Sequence, residues 1–214
     1  MPQTEEDMRE ILLSALVAVI AYLLGCFSTG LTVSGAKGVD IRSRGSKNTG
    51  ASNVLRVMGL KSGLVTFAGD FLKAALACGL GGLILPGAVF GVERLGMMLG
   101  GLFAVIGHNW PVFYRFKGGK GVACSAAVIF LVDPLWGAIA IVACLAVIAL
   151  TRFISLGSMT MLFCYMILMC IAHWGQWAVC AFTALLFVMC VWRHRANIQR
   201  LLSGTENRIG QKAK

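Results

Sequence analysis

The sequence predicts an all-α integral membrane protein: a polytopic helical bundle of seven transmembrane helices, some of them short, with the N-terminus outside and the C-terminus cytoplasmic. Three observations carry this. Of 214 residues, 58% are hydrophobic and only 13% are charged, and the mean hydropathy is +0.81, far from the composition of a soluble domain. The apolar residues gather into runs separated by short polar loops, as in a chain that crosses a bilayer repeatedly. The basic residues fall almost entirely in alternate loops, which sets an orientation.

Taken in order, the apolar runs are 11–33, 63–85, 95–106, 122–132, 135–150, 159–172 and 177–192. The first follows an acidic head (Glu5, Glu6, Asp7, Glu10) and is too long for a cleaved signal-peptide core. Residues 1–10 are therefore expected as a polar tail and the run as a retained helix. Several later runs fall short of the ~20 residues that cross a bilayer, so tilted or re-entrant segments stay open and five is the minimum number of spans. In the third run, Gly96 and Gly100 would let that helix approach a neighbour closely. Of 19 Lys and Arg, 16 lie within 34–62, 115–120, at 152 and within 193–214, leaving Arg9, Lys73 and Arg94 elsewhere. With the N-terminus outside, those four regions share the cytoplasmic side. No linker or repeat divides the chain, so residues 1–214 form a single domain. Residues 34–62 are a cytoplasmic loop with an amphipathic helix, and 193–214 a cytoplasmic tail.

A net charge of +10 would suit nucleic acid, but short basic loops between apolar helices are explained by membrane orientation, and no nucleic acid partner is expected. The eight cysteines sit singly in apolar segments without a C-x-x-C pair, as reduced core residues and not metal ligands. Neither a metal nor a cofactor is expected.

Four polar constellations share the cytoplasmic face. The first, Gly45-Ser46-Lys47-Asn48-Thr49-Gly50-Ala51-Ser52-Asn53, combines small residues that let backbone amides approach an anion with neutral hydrogen-bonding side chains. A helix starting near Asn48 places Thr49, Ser52, Asn53 and Arg56 on one polar arc, opposite Val54, Leu55, Val57 and Met58, with Gly59 as its C-cap. The competing reading is a hydrophilic loop that carries only topogenic charge. The second, His108-Asn109 followed by Gly118-Gly119-Lys120-Gly121, puts a cation beside open amides at a helix start. It lacks the spacing of a nucleotide-binding loop, and a tight turn with inside-positive lysines is its alternative. The third is the turn Ser155-Leu156-Gly157-Ser158 after Arg152. In the fourth, His194 and Asn197 lie one helical turn apart, in what could equally be a basic tail on anionic headgroups. Asp70 and Lys73, one turn apart inside the second run, form either a structural ion pair or part of a wet site. His173 beside Trp174 is read as interfacial. No catalytic-triad elbow or dinucleotide fingerprint is present, and His108 has no acid four residues on.

With these residues assembled, the chain resembles the bacterial acyl-phosphate:glycerol-3-phosphate acyltransferases, the PlsY family, from about residue 22 to 206. The resemblance rests on Gly38-Val39-Asp40-Ile41-Arg42 with the Gly45–Asn53 stretch, Gly107-His108-Asn109 with Gly118-Gly119-Lys120-Gly121, Ser155-Leu156-Gly157-Ser158, and His194-x-x-Asn197. It implies an α-helical enzyme of the bacterial cytoplasmic membrane, active on the cytoplasmic face. That enzyme moves an acyl chain from acyl phosphate to glycerol 3-phosphate, giving lysophosphatidic acid and inorganic phosphate. Carried over by motif, Ser46, Arg56, Lys120, His194 and Asn197 are the implied catalytic residues. Gly45, Lys47, Asn48, Gly50, Asn53, His108, Asn109, Gly118, Gly119, Gly121, Ser155 and Ser158 are expected around the substrate phosphates. Two departures stand out: Lys47 replaces a usual glycine, and Cys26-Phe27-Ser28 replaces a usual Ser-Ile-Pro, which should straighten the first helix.

Acyl phosphate is a mixed anhydride with a good leaving group, so the protein needs to position and neutralise more than to attack. Charge-assisted hydrogen bonds of about 1.5–3 kcal/mol each would offset the repulsion of two phosphorylated reactants. Arg56 and Lys120, as groups that do not titrate near neutrality, are the candidates. The base is left open between His194, His108 and a reactant phosphate, with an ordinary histidine titrating near ~6.5. A transporter or channel for a small phosphorylated anion is the reading from another class. It needs polar residues along a path through the membrane, and only Asp70 and Lys73 lie deep.

Overall fold

A computed structural model of the chain describes residues 5–211. Ten α-helices follow in order: α1 (Glu5–Cys26), α2 (Thr29–Gly35), α3 (Ala51–Met58), α4 (Leu60–Ile84), α5 (Leu95–Asn109), α6 (Val122–Val132), α7 (Pro134–Thr151), α8 (Ile154–Ala172), α9 (Trp177–Arg193) and α10 (Arg195–Leu202). All seven expected apolar runs are helical. Five spans are long and apolar enough to cross a bilayer, or six if α9 and α10, bent by 61° at His194, count as one. The seventh run is α6, whose 11 residues reach only about 16 Å of a hydrocarbon core about 30 Å thick. Its ends explain the length. Gly121 enters it at φ 73°, and Asp133 precedes Pro134, a position that disfavours the helix. Asp133 then caps α7 by accepting from the Trp136 amide at 3.3 Å, with Pro134 in the first turn. Eight of the eleven α6 residues are buried, so α6 is the centre of the bundle and its neighbours face the lipid.

Residues 5–10, expected within a polar tail, are the first turns of α1. The first run is two helices, α1 ending at Cys26 and α2 starting at Thr29, yet the two form one candidate span, Glu5–Gly35, without the sharp bend found between α9 and α10. Ser28 is extended at the junction, and Lys73 from α4 donates to the Phe27 carbonyl, satisfying an acceptor that the break exposes. The loop helix starts at Ala51, three residues later than expected, and ends on Gly59 at φ 84° as expected. A two-stranded hairpin, β1 (Ala88–Val89) and β2 (Val92–Glu93), joins α4 to α5. Phe90 and Gly91 both have positive φ in its turn, the geometry that short hairpins prefer.

Small residues bring the helix axes together. A Cβ added to Gly100 would lie 2.3 Å from the Ala77 carbonyl oxygen and one on Gly96 2.3 Å from that of Gly81, so the glycine pair seats α5 on α4. The outward faces carry large apolar side chains, Leu72, Leu83, Val142 and Leu150 among them. Exposed Trp174 and Trp177 stand at one end of α8 and α9, and Trp192 at the other end of α9, where amphipathic rings meet the headgroups.

Candidate active site

A cavity of about 220 Å³ opens where α3, α4, α6, α7, α8 and α10 converge. Ser46, Asn48, Arg56, Lys120, His194 and Asn197 line one end, while Phe67, Ile141, Leu145, Ile148 and Met161 line a wall. Gly50 and Ala51 at the start of α3 and Gly121 and Val122 at the start of α6 also border it. Two helix N-termini thus present unpaired amides and positive dipole ends to one space.

The first loop is shaped from within. Asn53, 1% exposed, accepts from the Ser46 amide at 2.8 Å and donates to the carbonyls of Arg44 at 3.0 Å and Asn48 at 2.9 Å. Its side chain thus ties the loop together while Asn53 also borders the cavity. Asn48 accepts from the Gly50 amide at 2.9 Å, an Asx turn that leads into α3. Gly45 packs against Asn53, since a Cβ there would lie 2.3 Å from Oδ1. Ser46 and Arg56 both line the cavity. Burial pushes the Arg56 pKa down, with Glu206 opposing and Arg200 reinforcing that shift. Lys47 is exposed, away from the lining, at φ 59°, a conformation that suits glycine. Lys47→Gly should therefore raise thermal stability in detergent by about 1 kcal/mol and leave the Michaelis constants unchanged.

The second loop rests on His108. A Cβ on Gly119 would sit 1.9 Å from His108 Nε2, and one on Gly118 2.1 Å from the His108 carbonyl oxygen. These glycines let the loop lie on the end of α5. From the other side Arg193 donates to the Gly119 and Gly118 carbonyls, each at 2.8 Å, with its guanidinium 5.6 Å from the Trp110 ring centroid. Lys120 projects from this clamp into the cavity and bonds to Asn197 Oδ1. Asn109 is fully buried beneath Gly121, and neither side-chain polar atom has a protein partner. It underlies the loop and does not reach the cavity.

The C-terminal segment closes the site. His194, 2% exposed, has Nδ1 2.9 Å from the Cys190 carbonyl oxygen. Nδ1 is thereby the donor, and Nε2 keeps its lone pair. Burial first, then the Lys120 charge, push its pKa down to about 4, so the expected titration near ~6.5 is corrected: His194 is neutral throughout the physiological range. The folded state binds fewer protons here than the unfolded chain. This contribution to stability is complete above pH ~6.5 and lost as pH falls toward 4. His194→Gln should raise the apparent KM for the polar substrate several-fold and leave the shape of the pH–rate profile above pH 6 unchanged.

Lys120 is the second correction. Burial brings its pKa down to about 8, with Glu206 raising it and Arg200 lowering it, so this cation does titrate near neutrality. Glu206 accepts from Ser155 Oγ at 3.0 Å, Asn197 Nδ2 at 2.6 Å and Arg200 Nε at 2.7 Å. Ser155 and Ser158 both border the cavity, although Ser158 Oγ donates back to the Ile154 carbonyl at 2.7 Å. Sequence reasoning did not single out Glu206, Arg200 or Arg193. The readable signal was that Glu206 is the only acid between 193 and 214, among six basic residues.

Asp70 and His108 also line the cavity. Asp70 Oδ1 lies 3.0 Å from Lys73 Nζ and 3.6 Å from His108 Nδ1, and accepts from Thr29 Oγ1 at 3.2 Å. The expected ion pair is therefore a buried cluster that joins α2, α4 and α5 to the glycine loop above His108. His173 stands apart, 3.6 Å from Asp133. Among the described residues no group of three or more His, Cys, Asp or Glu has the arrangement of a metal site.

Residues 15–204 match the family model described as glycerol-3-phosphate acyltransferase. A glycerol-3-phosphate acyltransferase of Thermoanaerobacter sp. (strain X514) is 41% identical, over 93% of this chain and 97% of its own. That of Bacillus subtilis (strain 168) is 38% identical, over 92% and 98%. The chain also superposes on the crystal structure of PlsY, an integral membrane glycerol 3-phosphate acyltransferase, in its glycerol 3-phosphate form. There the TM-score is 0.84 at 35% identity, over 92% of this chain and 96% of that one. For the lysophosphatidic acid form the TM-score is 0.80 at 34% identity, over 92% and 95%.

Proposed function

This chain belongs to the glycerol-3-phosphate acyltransferase family, and from that premise we propose that it transfers a fatty acyl group from acyl phosphate to the 1-hydroxyl of glycerol 3-phosphate. The products are lysophosphatidic acid and inorganic phosphate, in the first acylation step of bacterial phospholipid synthesis. The observation that carries this reading is one cavity whose cationic, amide-rich end continues into an apolar wall, matching a reaction between phosphorylated headgroups and an acyl chain.

Arg56, Lys120, Ser46 and the N-termini of α3 and α6 hold the two phosphates and offset their repulsion. The glycerol hydroxyl attacks the acyl carbonyl carbon, the bond from that carbon to the phosphate oxygen breaks, and the electron pair leaves with phosphate. No protein nucleophile is required. The neutral His194, through Nε2, and Asn197 hydrogen-bond the acceptor, and a phosphate oxygen takes the hydroxyl proton. The acyl chain lies along Phe67, Ile141, Leu145 and Ile148, the side of the cavity toward the lipid. The concentration of basic residues in the loops at this end of the bundle supports a reading in which it lies at the cytoplasmic face of the inner membrane, with the N-terminus outside. The transporter reading is disfavoured because it needs polar residues along a path through the membrane, whereas Asp70 is engaged by Lys73, His108 and Thr29 and α6 beside the cavity is apolar and mostly buried. The test is purified protein in detergent with labelled glycerol 3-phosphate and either acyl phosphate or acyl-CoA. Labelled lysophosphatidic acid with acyl phosphate alone is expected, and equal use of acyl-CoA would sink the donor assignment.

A further inference from the structure

We propose that Glu206 is a positioning residue for this reaction, orienting the Asn197 amide and through it aiming a charged Lys120 ammonium into the cavity. The inference rests on the reading that Lys120 holds a reactant phosphate, and adds what holds Lys120. The Glu206 side chain is 4% exposed, and both oxygens are engaged: Oε1 by Ser155 and Asn197, Oε2 by Arg200. Because a carboxylate only accepts, the Asn197 NH2 group must face it, and the amide oxygen must face Lys120. The opposite rotamer would set an NH2 group against the ammonium and an amide oxygen against Glu206 Oε1, which would then keep only its Ser155 donor. One carboxylate thus selects one of two amide orientations, and only the selected one accepts from Lys120.

The second part is charge. The groups facing Lys120 are Arg56 from α3, Cys190 and Arg193 from α9, His194 at the α9–α10 bend, Arg200 from α10 and Glu206 from the segment after α10. Among these described neighbours Glu206 is the one acid, and without it the charged groups they set around a half-buried ammonium would all be guanidinium groups. Burial and Arg200 favour the neutral amine, and Glu206 opposes them. The segment is fastened by a reciprocal contact: the Ile209 amide donates to the Arg152 carbonyl at 2.9 Å, and the Arg152 guanidinium donates to the Ile209 carbonyl at 2.6 Å. The turn between α7 and α8 therefore carries the tail that carries Glu206, which gives the lone arginine of the third constellation a purpose.

The test is the pH profile of kcat/KM for glycerol 3-phosphate, which reports groups of the free enzyme, in the wild type, Glu206→Gln and Arg200→Gln. The wild-type rate should fall as pH rises through about 8, as Lys120 loses its proton. Glu206→Gln should move that fall to lower pH, giving about tenfold lower kcat/KM at pH 8.5 for each unit of movement, beyond any loss common to all pH values. Arg200→Gln should move it to higher pH. A role in folding alone lowers activity without moving the fall, so unshifted profiles in both variants overturn the proposal. If Glu206→Gln does not fold, Arg200→Gln decides by itself: an alkaline shift supports the proposal and none overturns it. A wild-type profile flat to pH 10, with acyl transfer intact, overturns the charge argument while leaving the reaction assignment standing.

Discussion

Lys120→Met is expected to lower kcat/KM by about 10²–10³-fold at pH 7, the usual effect of removing one preorganised charge from a reacting anion. The residual activity should lose the alkaline fall. The sign follows from the direction of the shift: a lysine brought down to about 8 is a cation below that pH and an amine above it, so phosphate binding is strongest on the acid side. Lys120→Arg separates charge from geometry, because a guanidinium does not titrate in this range. It should keep more activity than Lys120→Met at pH 7 and show no fall up to pH 9. An arginine enzyme that still lost activity through pH 8 would place the titrating group elsewhere.

Asp70→Leu should have the largest effect on the fold. The carboxylate is 2% exposed and is shared by Lys73, His108 and Thr29. Its removal leaves the Lys73 ammonium buried beside a histidine, at a cost of about 3–5 kcal/mol. The expected result is little folded protein in detergent, measured by size-exclusion recovery and thermal unfolding. Asp70→Asn combined with Lys73→Met should restore recovery, since no net charge is then left without a counter-ion. Because His108 underlies Gly118 and Gly119, the recovered double variant should have an elevated KM for glycerol 3-phosphate. Recovery with unchanged kinetics would mean that the cluster does not support the loop.

The helices were legible in the sequence because membrane burial imposes a long-range rule on composition, and all seven apolar runs fold as helices. The Gly96–Gly100 contact and the Gly59 cap were legible for the same kind of reason: each needs a residue without a side chain at one spot. The break at Phe27 and Ser28 was not legible, because the group that completes it, Lys73, comes from another helix. That α6 is central was hidden by its composition, which fits a lipid-facing helix equally well. Within the site, many of the motif residues gather around one cavity, but the motifs do not separate side chains that face it from those that support its loops. Gly118 and Gly119 look like ligand-binding residues, yet they pack on His108 and are not among the residues that line the cavity, whereas Asn53 both holds its loop and borders the cavity. Glu206 went unread for the converse reason: a lone acid in a basic tail looks like surface, and only the fold carries it back to Ser155 and Asn197.

Direct transfer between two bound substrates, without an acyl-enzyme, is the central claim, and product stoichiometry tests it most directly. Purified protein is incubated with acyl phosphate alone and then with glycerol 3-phosphate added, while inorganic phosphate and lysophosphatidic acid are counted together. Phosphate should appear only after glycerol 3-phosphate is added, one for each lysophosphatidic acid formed, with no acyl group retained on the protein. A burst of phosphate before the acceptor is added, matched by acyl label on the chain, would contradict it.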